Sequence, residues 1–306
     1  MREFTLRFVG FLSNCDDSIL DVQFGNGYNV KKQGYQEAIQ FISELTGKDQ
    51  MDSAVIIMRN ALGSSPTLPV YYIEKEVNIQ TGETPQTGGA SGDVMKLFSE
   101  GSNYFFNRLR LMRLFKEGNI LMPISFGGLK GNPNKGPSMK IDGGNLVSHE
   151  LYHLDKADIP ELMTFMESTF LPFKNEVLQM SFDLFELSYM VNNWSLMFLT
   201  SVMGIEALLN PDVYEIRHRV SRNLAILIGR DKEETSNIYK KMLNAYGKRS
   251  KISHGKGLKS VDEEAVREVR NLLRRAIKSY YKAGLEKDNL INKLNELGFD
   301  TIKPWA

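Results

Sequence analysis

Between Lys240 and Ser260 the chain carries Lys240, Lys241, Lys248, Arg249, Lys251, Lys256 and Lys259 and not one acidic residue. Inside this cluster lies Arg249-Ser-Lys-Ile-Ser-His254-Gly. An imidazole titrates near neutrality and can take or return a proton. A guanidinium stays charged and grips phosphate oxygens in a fork. Together the two residue types suit chemistry on a phosphate group, and the surrounding lysines, Lys248, Lys251, Lys256 and Lys259 among them, suit a phosphate-binding surface. The plainer reading of the same lysines is a solvated helix end that complements the helix dipole.

Spacing constrains that reading. On an unbroken helix, residues five apart point about 140° away from each other. Arg249 and His254 therefore converge only if the helix breaks near Ser253 and Gly255, and a glycine directly after His254 is a suitable terminator. Glu206 also stands out, because it falls in register with Leu199 and Met203 on a stripe expected to be buried. A buried carboxylate needs a partner. Two partnerships are open: Arg249, which Glu206 would orient, or a structural bridge to Arg217, Arg219 or Arg222.

A second constellation competes. His149-Glu150-Leu151-Tyr152-His153 matches the zinc-hydrolase pattern in which two histidines on one helix face bind the metal and the glutamate activates its water. Gly143-Gly144-Asn145 just before it and Pro160 just after leave little room for the helix that pattern needs. A short strand reaching Leu154 fits as well.

The elements that must position these residues divide the chain in two. Over 1–145, mixed periods and frequent glycine predict an α+β domain. FTLRFVGFL alternates as a strand, a helix spans about Gln33 to Leu45, and PVYYIEKEVNI reads as a second strand. QTGETPQTGGASGD is a solvated loop, and Val94 to Phe115 carries a helical apolar stripe. FGGLKGNPNKGPSMKIDGGN is too irregular for an element, so the boundary follows it. Over 146–306 the pattern is helical almost throughout, opening at Asp158 with Pro160 in the first turn. Four or five amphipathic helices with short connections predict an all-α bundle.

The totals add bounds. With 306 residues, a formal charge of +1 and 42% hydrophobic positions, attraction to nucleic acid must come from a local patch rather than a whole-protein field. A single cysteine, Cys15, and a start without a signal-peptide pattern predict the cytoplasm. The most apolar stretch, Trp194 to Leu209, is interrupted by Ser195, Thr200, Ser201 and Glu206, which predicts no membrane span.

The C-terminal half resembles the Apea-like branch of the HEPN family. The resemblance lies in the order of GIEALLN (Gly204 to Asn210), RHRVSRNLAILIG (Arg217 to Gly229) and AYGKRSKISHG (Ala245 to Gly255), and it covers about Leu151 to Tyr281. For the part that follows the α+β domain it implies a HEPN-type bundle acting as a metal-independent endoribonuclease with no cofactor. Arg249 and His254 would be catalytic, with Glu206, Ser250 and Tyr246 supporting them. It further implies RNA as substrate, a homodimer built through the bundle that unites two His254 turns, and a role as a toxin or antiviral defence effector. Ser250 departs from the Asn, Asp or His that many family members carry there, so a non-catalytic RNA-binding module is the alternative within the family.

Overall fold

The computed structural model describes residues 2–46, 52, 56, 69–81, 92–130, 138–141, 151–210, 214–255 and 261–300. The chain forms two compact units, Met1–Thr169 and Phe170–Ala306. The division falls beyond the 145/146 boundary expected from composition, because residues after 150 fasten to the first unit.

That unit is built on an antiparallel five-stranded sheet: β1 (Arg2–Ser13), β2 (Asn29–Gln33), β3 (Val70–Thr81), β4 (Leu121–Leu129) and β5 (Ser138–Ile141), in the order β2-β3-β1-β4-β5. The central strand β1 alternates as the sequence predicts. Val9 and Phe11 pack with Tyr35, Ala38, Phe41 and Ile42 of α1 (Tyr35–Thr46). On the opposite face Phe8 stacks on Phe105 of α2 (Gly92–Phe115). The strand β4 and the pairing of β5 run into a stretch expected to be irregular. Gly127 misled the reading, because it sits within β4 for packing reasons: a Cβ there would lie 2.8 Å from the Phe98 ring.

Residues 151–154 are extended rather than helical, joined to the end of β1 by a parallel bridge between Tyr152 and Cys15. The Tyr152 amide donates to the Asn14 carbonyl at 2.8 Å. Lys116 reaches Asp155 at 2.9 Å and also bonds Asp158, the first residue of α3 (Asp158–Ser168). Phe165 of α3 packs on Phe115.

The second unit is helical among its described residues: α4 (Glu176–Met190), α5 (Trp194–Leu209), α6 (Ile216–Ile228), α7 (Lys232–Ser253), α8 (Glu263–Ala283) and α9 (Lys287–Glu296). The amphipathic helices are present, and with α3 the described residues beyond 146 hold seven of them where four or five were expected. Asparagine or aspartate caps start α4, α5, α7 and α8, each accepting from the amide three residues on. Helices α4, α5 and α8 close in around Gly204, whose carbonyl accepts from Ser181 Oγ at 2.9 Å and whose missing Cβ would meet Leu273 at 2.7 Å.

One expectation for α5 is corrected. Its core face is Met197, Phe198, Val202, Ile205 and Leu208, whereas Leu196 and Met203 are exposed. The helix is apolar on nearly every side, so periodicity alone could not tell which side faces the core.

Candidate functional site: the α7 terminus

The helix α7 opens on acids and closes on bases. Asp231 caps it, accepting from the Glu234 amide at 2.8 Å, and Glu233 and Glu234 occupy the first turn. Lys248, Arg249 and Lys251 lie at the other end, where the dipole favours cations. Buried Ile252 anchors the last turn. The helix stops at Ser253, with His254 as its cap residue. Gly255 adopts φ 69°, and its amide donates to the Ile252 carbonyl at 2.9 Å, while the His254 amide donates to the Ser250 carbonyl at 3.2 Å. The left-handed glycine therefore ends the helix immediately after His254 and leaves the imidazole exposed.

Arg249 points to α5. Its Nη2 lies 3.4 Å from Glu206 Oε2, with the side chains 38% and 17% exposed. Of the two partnerships the sequence left open for Glu206, this one is present. Tyr246, one turn before Arg249, is buried with its hydroxyl facing Glu206 but outside hydrogen-bond geometry. Burial first, and Glu206 second, push the phenol well above its ordinary range, so it stays protonated as a donor. The site is thus a half-buried guanidinium held by a carboxylate and, five residues further on, an exposed imidazole. Because α7 stays helical through Ser253, the break falls after His254 and leaves the two about 140° apart around the axis rather than bringing them together. Lys248 is partly buried, and Ser250 and Lys251 are exposed. Lys256 and Lys259 lie outside the described residues.

His149 and Glu150 of the competing motif also lie outside them. His153 is in extended chain, not on a helix. Its Nδ1 is 2.6 Å from Asp16 Oδ2 and its Nε2 3.6 Å from Asp155 Oδ1. The bond to Asp16 raises its pKa, which favours the protonated form, the opposite of what a metal ligand needs. Among the described residues no group of three or more His, Cys, Asp or Glu is placed to hold a metal ion. Among them, too, no helix is long and apolar enough to cross a membrane.

Sequence reading passed over a buried charged cluster in the bundle. Glu186 of α4 and Arg270 and Arg274 of α8 are all buried. Arg270 Nε donates to Ser188 Oγ at 3.1 Å and Nη2 to the Ser188 carbonyl at 3.0 Å, with the guanidinium over the Tyr189 ring at 4.0 Å. Arg274 donates to the Tyr189 hydroxyl at 2.8 Å. The signal was available: both arginines fall in register with Val266, Leu273 and Ile277 on the apolar stripe of α8.

No family model, curated protein or solved structure matches the chain.

Proposed function

We propose that the α7 terminus is the active site of a metal-independent endoribonuclease of HEPN type. The observation that supports it most is the pairing of Arg249 with Glu206, five residues before a helix end that presents His254 to solvent. In the proposed step the ribose 2′-oxygen bonds to the adjacent phosphorus and the bond from phosphorus to the 5′-oxygen breaks. The 2′-hydroxyl loses its proton to a base, and the departing 5′-oxygen receives one. His254 serves in one of these transfers and Arg249 binds the phosphate oxygens, where charge accumulates. Lys248 and Lys251 add attraction for the flanking backbone. The products are a 2′,3′-cyclic phosphate and a 5′-hydroxyl, and DNA, lacking the 2′-hydroxyl, is inert.

The deciding experiment incubates purified protein with total RNA, with and without chelator. Cleavage to cyclic-phosphate ends, indifferent to chelator and lost in Arg249→Ala and His254→Ala variants that still melt as wild type does, is the expected result. Retained cleavage in His254→Ala overturns the assignment, as does inhibition by chelator that added zinc reverses. RNA binding without cleavage would assign a non-catalytic module instead. The family resemblance also carries the proposal of a toxin or defence effector, tested by growth arrest on expression that His254→Ala abolishes.

A further inference from the structure

Two side chains of α7 converge on Glu206, and neither holds it closely. Arg249 reaches it through one guanidinium nitrogen, Nη2 to Oε2 at 3.4 Å, beyond the usual length of such a bond. Tyr246 lies three residues before Arg249, on the same side of the helix. It is 7% exposed, and its hydroxyl is buried beside Glu206 without a hydrogen-bond partner. A buried hydroxyl that bonds to nothing is costly. Its neighbour is a carboxylate with acceptor sites to spare.

Elsewhere in the chain a tyrosine hydroxyl with a polar neighbour makes its bond. Tyr71 donates to Asp17 Oδ1 at 2.6 Å, and the Tyr239 hydroxyl lies 2.9 Å from His218 Nδ1. Packing alone does not account for a tyrosine at 246 either, because phenylalanine fills nearly the same volume and leaves no buried donor open. The unmade bond therefore points to a second state of the site in which it is made.

We infer that Tyr246 is a positioning residue whose hydroxyl closes onto Glu206 when an RNA phosphate draws the Arg249 guanidinium outward. This rests on the nuclease reading proposed above and describes how that site responds to its substrate. Glu206 engages one guanidinium nitrogen, which leaves other donors of Arg249 for phosphate oxygens. A phosphate that recruits them takes positive charge away from Glu206, and a carboxylate 17% exposed has little water to turn to. The Tyr246 hydroxyl then supplies the missing donor, its proton staying on the phenol oxygen. Burial and the neighbouring carboxylate keep that phenol protonated, so the donor is always available. The new bond fixes Glu206, and Glu206 fixes the guanidinium edge that faces it. Bonds that are slack in the free protein and tighten around bound substrate are ordinary behaviour for such sites.

The first arm of the test needs no RNA. Arg249→Ala removes the guanidinium outright and leaves Glu206 to the hydroxyl. Melting curves of the full chain are recorded for wild type, Tyr246→Phe, Arg249→Ala and the double variant. Expected are an unchanged or higher melting temperature for Tyr246→Phe alone, and a fall of roughly 4 °C when the same change is added to Arg249→Ala. A fall of that size in Tyr246→Phe alone, or a double variant that melts with Arg249→Ala, overturns the inference. The second arm measures kcat and KM on a defined single-stranded RNA. Tyr246→Phe should lower kcat/KM about tenfold, the worth of one hydrogen bond to a charged group. It should have no such effect in a Glu206→Gln background, because the hydroxyl acts only through the carboxylate. Wild-type kinetics in Tyr246→Phe, or an equal loss in the Glu206→Gln background, overturns the positioning role. If the wild type leaves RNA intact, the nuclease reading falls, and the melting temperatures alone decide whether the hydroxyl takes over Glu206.

Discussion

Replacing Glu206 with glutamine removes one negative charge and almost no volume, so it isolates what the carboxylate does to Arg249. At 3.4 Å, Coulomb attraction is about 1.2 kcal/mol at the dielectric of water and about 5 kcal/mol at an effective value of 20. Arg249 is 38% exposed, so solvent screens the pair and its entropic cost counts against it; the net is close to the exposed-pair range, about 1 kcal/mol. For a unit of this size that lowers the melting temperature by roughly 4 °C. Glutamine keeps a hydrogen-bond acceptor toward the guanidinium but loses the charge that fixes its direction, so cleavage should fall by on the order of tenfold or more, beyond anything the melting shift explains. The measurements are a melting curve and initial rates on a defined RNA for Glu206→Gln, Arg249→Gln and the double variant. A coupling energy of about 0.5–1 kcal/mol between the two positions is expected. If Glu206→Gln loses stability while specific activity stays at the wild-type level, the carboxylate is a structural partner only and the positioning argument is refuted.

Gly255→Val should cost about 1 kcal/mol or more, read by chemical denaturation, because φ 69° is open to glycine and strained for a branched residue. It should also depress cleavage while leaving α8 helical by circular dichroism. In the first unit, the bond to Asp16 raises the His153 pKa. The stability this pair adds is therefore fully present below the ordinary histidine value of about 6.5 and fades as pH rises through the raised folded value. The Asp16 carboxyl, lowered by Ser18 and His153 against the opposing effect of burial, adds stability above its ordinary range that is lost on acidification. Asp16→Asn should bring the His153 titration, followed by NMR, back toward the ordinary value and flatten the alkaline side of the stability profile. An unmoved His153 titration would contradict the geometry.

The strands β1 and β3 and the helices α1 and α2 were legible because each has one dominant period. The strand β4 was not, since a glycine that admits the Phe98 ring reads in isolation as a loop signal. The α7 terminus was legible for a local reason: Gly255 and the lysines around it announce a helix end. The facing of α5 was hidden, because a helix apolar all round has no period to read. The buried arginines of α8 are hard to read from sequence, because arginine is ordinarily a surface residue. Arg270, 1% exposed, shows that position on the stripe outweighs residue type when Ser188 and Tyr189 stand ready to receive it.

The stitch between Asp16 and His153 closes a loop of 137 residues. During synthesis at about 5–20 residues per second, β1 is complete on the order of ten seconds before its partner at Tyr152 leaves the ribosome. Non-local closure of this kind is slow in its own right. The helical unit that follows has a shorter closure of its own, since Arg270 of α8 bonds Ser188 of α4 across 82 residues. The bridge from Cys15 to Tyr152 therefore forms late in translation. A fragment that ends before Tyr152 would never make this bridge and would lack the buried side chains of Tyr152, Leu154 and Met166.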